Sequence, residues 1–116
     1  MTIAGTYNII CDQGATFGRT ITWKDANGDP VDLTSYTARM QVRSIVTSDT
    51  VAVELTTENG RITLGGALGT ITLTIPATVT DDIEAGTYAY DLELVTGSTV
   101  TRLLMGSFIV RGEVTR

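Results

Sequence analysis

Between Tyr36 and Arg43 every second side chain is apolar: Tyr36, Ala38, Met40 and Val42 alternate with Thr37, Arg39, Gln41 and Arg43. Successive side chains point to opposite faces of a strand, whereas a helix repeats its face every three or four residues, so this spacing builds a half-buried strand. The same period returns in Thr16 to Lys24, where Phe17, Ile21 and Trp23 share a face, and in Val51, Val53 and Leu55. It continues through Ile62 and Leu64, Thr70 to Ile75, the set Tyr88, Tyr90, Leu92 and Leu94, and, after Val100 to Met105, Phe108 and Val110. Reversals are supplied by Asp25 to Pro30 around Asn27-Gly28, by Glu58-Asn59-Gly60 and by Thr96-Gly97-Ser98. Gly106 is expected to permit a bulge. Helical character is confined to Thr78 to Ala85, with Thr80 as N-cap, Asp81, Asp82 and Glu84 near the positive end and Gly86 as the stop. About eight or nine such strands imply an all-β chain, an immunoglobulin-like antiparallel β-sandwich with at most one short helical turn. The expected core is Phe17, Ile21, Trp23, Tyr36, Met40, Val42, Val53, Leu55, Ile71, Leu73, Tyr88, Leu92 and Phe108.

A chain of 116 residues accommodates one domain, taken as residues 1–116. Eight Lys and Arg against 13 Asp and Glu give a net charge of −5, the opposite balance to a nucleic-acid module, so no nucleic-acid partner is expected. The absence of histidine removes the commonest general base and transition-metal ligand. The single cysteine, Cys11, excludes an intrachain disulfide and a thiolate zinc site. No apolar run reaches the ~18 residues needed to span a bilayer, and MTIAGTYNIICDQG lacks the basic start and apolar block of a signal peptide. The expectation is a chain made in the cytoplasm, with no membrane partner and no secretory leader of its own.

Each constellation that could carry chemistry has a simpler structural role. Asp25, Asn27 and Asp29 open like a calcium loop, but the twelfth position is Tyr36 rather than a bidentate carboxylate, which leaves a hairpin. The stretch Gly65 to Gly69 is followed by a strand and lacks the Lys-Ser/Thr of a phosphate loop, so it reads as a turn. Asp91 and Glu93 share one strand face and are expected on the solvated side, opposite Arg39, Arg43 or Arg102. Trp23, Tyr88 and Tyr90 alternate with polar neighbours and are expected inside rather than on a sugar-binding platform. Cys11 has no histidine to activate it; it is either a buried small hydrophobe or an exposed thiol able to cross-link neighbours. No catalytic residue, cofactor or metal is expected.

The runs DQGATFGRTITWKDANGDPVDLTSYTARMQVR, VELTTENGRITLGGALGTITLTI, AGTYAYDLELV and the closing EVTR resemble a small-protein family encoded among the structural genes of tailed bacteriophages and prophages. The resemblance covers nearly the whole chain. It is similar, more distantly, to the N-terminal domain of upper baseplate proteins, an immunoglobulin-like sandwich that docks a receptor-binding assembly onto the tail. Ser35, where a glycine often precedes the tyrosine, and Cys11 depart from the family pattern. The resemblance implies a non-enzymatic virion structural protein, attached in several copies to tail, baseplate or capsid proteins, with other phage structural proteins and further copies of itself as partners. The alternative is a carbohydrate- or host-receptor-binding module on the phage surface. The candidate partner-binding residues are Arg39, Gln41 and Arg43, on the outward face of their strand, with Arg111 and the polar arm Gly112, Glu113, Val114, Thr115 and Arg116.

Overall fold

The computed structural model describes residues 5–45 and 48–114. Among them the chain forms β1 (Gly5–Thr6), β2 (Ile9–Asp12), β3 (Phe17–Thr22), β4 (Thr37–Arg43), β5 (Val51–Thr56), β6 (Ile62–Leu64), β7 (Thr70–Ile75), β8 (Gly86–Thr96) and β9 (Thr99–Arg111). The larger sheet runs β1-β9-β8-β4-β5, with β2 also paired to β9, and the smaller runs β3-β7-β6. Crossing from β3 to β4, back to β6 and β7, and out again to β8 is the immunoglobulin-like arrangement of two layers.

The sandwich is not antiparallel throughout. β1 and β2 run parallel to β9, with Gly5 beside Leu104, Ile9 beside Phe108 and Asp12 beside Arg111. Alternation reveals the face of a strand but not the direction of its neighbour, so this pairing lay outside what the pattern could specify.

The inward residues of both sheets meet in one core. Phe17, Met40, Val42, Val53, Leu55, Ile71, Leu73, Leu92 and Phe108 are buried as expected. Ile21, Trp23, Tyr36 and Tyr88 are only partly buried against it. Trp23 and Tyr36 meet edge to face, ring centroids 5.7 Å apart. Tyr88 spends its hydroxyl on the Glu84 carbonyl four residues upstream, the tyrosine-corner contact at the entry to β8. The core also takes Ile9 and Cys11 from β2, and Leu33 and Ile83 from connections.

The helix differs from expectation. It is a single turn, α1 (Ala77–Thr80), capped by Pro76, and the acidic residues follow it. Pro76 starts the turn because its φ is pre-set, while Thr80 ends it, fully buried, its hydroxyl donating to the Ala15 carbonyl at 2.8 Å. Thr80 is thus a tertiary tie rather than an N-cap. The bulge falls not at Gly106 but at Leu103, since Leu92 faces Leu104 and Glu93 faces Arg102. Gly106 serves close approach instead: a Cβ there would lie 2.6 Å from the Tyr7 carbonyl oxygen.

Gly65 to Gly69 buttresses the β3–β4 connection through a short 3-10 turn, Gly66–Leu68. Leu33 N–H donates to the Gly66 carbonyl and Trp23 N–H to that of Gly69, both at 2.9 Å.

Cys11 is fully buried. Burial, and after it the charge of Asp12, pushes its thiol up to about 11. At pH 8 the native thiol is expected to react with an aromatic disulfide reagent at least about 100-fold more slowly than the urea-unfolded thiol. Equal rates would place the thiol at the surface.

Candidate partner-binding surface

Because Ala38, Met40 and Val42 turn inward, Arg39, Gln41 and Arg43 turn to the outer face of the larger sheet. Register then decides what they meet. Arg39 lies opposite Glu93, which lies opposite Arg102; Gln41 lies between Glu54 and Asp91. Arg39 Nε donates to Glu93 Oε1 at 2.8 Å, and Arg102 Nε stands 3.5 Å from Asp91 Oδ2. Gln41 acts as a hub: its Nε2 donates to Glu54 Oε2 at 2.7 Å, and its Oε1 accepts from Arg43 at 2.6 Å. Arg43 also donates to the Ser48 carbonyl. Between these side chains lies an open depression of about 170 Å³, lined by Gln41, Arg43, Ala89, Asp91, Arg102 and Met105 among others.

Burial pushes the Asp91 carboxyl above the usual carboxylate range and Glu93 adds to the rise, while Arg102, Arg43 and Arg39 pull the other way. At 3.5 Å the Arg102 pair is too long to reverse the balance. A carboxyl raised in the folded state opposes folding as pH rises through that raised value. Asp91→Asn is therefore expected to match or exceed the parent's urea midpoint at pH 7, with the difference shrinking toward about pH 3, where the parent carboxyl is protonated whether folded or not. A lower midpoint at pH 7 would show that the arginines outweigh burial.

The face is balanced in charge. Arg39, Arg43, Arg102 and Arg111 stand with Asp12, Glu54, Asp91 and Glu93, so the net −5 of the chain resides elsewhere. Apolar surface adjoins it on the β9 side, where Ile10 is 46% and Met105 43% exposed.

Arg111 ends β9 and grips Asp12 with two nitrogens, at 2.6 and 3.1 Å. Those hydrogen bonds hold the Asp12 carboxyl below its ordinary range. Gly112 is exposed and Glu113 half-buried; the Glu113 N–H donates to Gln13 Oε1 at 3.1 Å, and its carboxylate fills the space where a side chain on residue 14 would lie. Gln13 in turn donates to the Ile83 carbonyl at 2.9 Å. The polar arm is thus strapped to the β2–β3 turn as far as Glu113, and Val114 beyond it is 96% exposed. Thr115 and Arg116 lie outside the described residues. The structure brings Arg39, Gln41 and Arg43 into one cluster and sets Arg111 and its neighbours at the far edge.

No protein-family model matches the chain, and no curated protein sequence matches it.

The other constellations fall apart in space or are occupied. Asp25 Oδ1 accepts from the N–H groups of Asn27 and Asp29, at 2.9 and 3.0 Å, and so closes its own hairpin. Trp23 meets Tyr36 edge to face and Tyr90 is buried beside Phe108, which leaves no shared aromatic platform with Tyr88. What the sequence pattern passed over is the apolar margin of Ile10 and Met105, whose signal is an apolar residue on an otherwise polar strand face.

Proposed function

We propose that this chain is a non-enzymatic structural subunit of a tailed-bacteriophage particle, attached to its neighbours through the outer face of the larger sheet and the chain end beyond Glu113. The resemblance of its sequence runs to phage structural proteins motivates the setting. The observation that carries attachment is the balanced face: four arginines and four carboxylates, bordered by exposed Ile10 and Met105, on a chain of net charge −5. Like-charged subunits repel over their general surface, and a locally neutral patch with an apolar margin is where contact costs least. In a symmetric particle many weak contacts of this kind add up through avidity.

The test is particle assembly with the double variant Arg39→Glu and Arg43→Glu, and with a chain lacking residues 112–116. Each is expected to lower incorporation by about tenfold or more, the loss of roughly 1.4 kcal/mol per contact being multiplied over copies. Circular dichroism and urea midpoints establish that the unassembled variants remain folded. Full incorporation of both would remove this surface from the attachment role, and binding of host polysaccharide abolished by the arginine substitutions would favour a receptor-binding module.

A further inference from the structure

A sheet edge offers alternate backbone N–H and C=O groups to any strand that can reach them. At β5 those groups belong to Glu54 and Thr56, because Thr57 N–H, on the opposite parity, donates inward to the Ala38 carbonyl. Two of the four are already taken. The Glu54 carbonyl accepts from Asn59 Nδ2 and from the Arg61 guanidinium, and Thr56 N–H donates to Asn59 Oδ1, all at 3.0 Å. The Glu58-Asn59-Gly60 turn thus plugs that edge of the larger sheet.

β3 has no such plug. Trp23 N–H donates to the Gly69 carbonyl beside β7, so Phe17, Arg19 and Ile21 bond toward β7 while Gly18, Thr20 and Thr22 aim their backbone groups outward. Among the described residues no side chain bonds to those groups. Two of the usual guards are missing, since β3 holds no proline and shows no register shift, and the third, an inward charge, is already engaged within the subunit. Its one charge is turned away, with Arg19 donating to the Tyr7 hydroxyl at 2.7 Å and lying over the Tyr7 and Phe17 rings. β6, the other edge of the smaller sheet, has three residues against the six of β3.

We infer that β3 is a self-pairing edge: two copies join β3 to β3, antiparallel across a two-fold axis at Thr20, into one continuous six-stranded sheet. The occupant is a second copy because the edge is complementary to itself. An axis at Thr20 sets Thr20 opposite Thr20, Gly18 opposite Thr22 and Arg19 opposite Ile21, with about six backbone hydrogen bonds and no like charges face to face. The threonine ladder of the outer face continues across the junction, since Thr20 and Thr72 already meet hydroxyl to hydroxyl at 3.3 Å. No carboxylate lies between Ala15 and Lys24, so this edge escapes the general acidity that keeps copies apart. The pairing uses a different surface from the attachment face and does not depend on the phage setting.

The experiment is sedimentation velocity on the full chain up to about 1 mM, with three variants. The parent is expected to show a concentration-dependent dimer. Thr20→Lys sets two cations opposite each other at an exposed position and is expected to weaken the dimer by about tenfold or more, while Ala52→Lys on the plugged β5 edge leaves it unchanged. Thr20→Cys, the only accessible thiol beside buried Cys11, is expected to give a disulfide-linked dimer on mild oxidation, whereas Thr63→Cys on β6 gives none. A parent that stays monomeric throughout overturns the inference. So does a dimer that is indifferent to Thr20→Lys and is not trapped by Thr20→Cys.

Discussion

Phe108→Ala is expected to lower the stability of the folded chain by about 3–5 kcal/mol. The ring is fully buried and joins the two layers, its centroid 5.9 Å from that of Phe17 on β3 and 6.4 Å from that of Tyr90 on β8. β9 is paired on both sides here, to Ile9 of β2 and Tyr88 of β8, so neighbouring strands cannot close into the space. Truncation therefore loses both the transfer free energy and the contacts around an unfilled cavity. Domains of this size are stable by about 5–15 kcal/mol, which makes the loss a large fraction of the total. Urea unfolding should show a lower midpoint at unchanged slope. Trp23→Ala, at a half-buried site, should cost less, and the reverse order would mean that the Trp23–Tyr36 pair rather than the centre anchors the layers.

Gly69→Ala should cost about 2–4 kcal/mol, combining a left-handed backbone with a steric conflict. The residue has φ of +69°, and a Cβ would lie 2.8 Å from the Trp23 carbonyl oxygen and 3.1 Å from the Val31 nitrogen. Those two atoms hydrogen-bond to each other at 2.9 Å, so yielding to the methyl breaks the bond that ties the end of β3 to the approach to β4. Gly28→Ala is the control: its φ is +83° but nothing lies within 4 Å, and only the backbone term of about 1–2 kcal/mol remains. Equal losses in the two variants would show that the contact around Gly69 is slack.

The period-two runs were enough to find seven of the strands, because a strand with one face in the core must alternate. They missed β1 and β2, whose adjacent Ile9 and Ile10 break the pattern: Ile9 enters the core and Ile10 faces solvent at the margin of the sheet. The charge mosaic was half readable. Arg39, Asp91 and Glu93 could be placed on outer faces from alternation, but that Arg39 takes Glu93 and Arg102 takes Asp91 depends on register and on the bulge at Leu103. Asn59 read only as a turn former. Its capture of the β5 edge needs the folded turn to bring its amide alongside Glu54 and Thr56, a relation between strands that local chemistry does not encode.

The parallel pairing of β1 and β2 with β9 also governs how the chain carries load. Tension that draws Gly5 and Arg111 apart slides the two lines of strand along one another, because Gly5 sits beside Leu104 and Asp12 beside Arg111. Hydrogen bonds lying across the direction of pull are strained together, whereas a hairpin pulled open from one end breaks them in turn. The resistance is a matter of unfolding rate rather than equilibrium stability. A protein tethered through its two ends would yield first at this seam, and only after its backbone bonds, with the Arg111–Asp12 clasp beside them, had borne the force as a set.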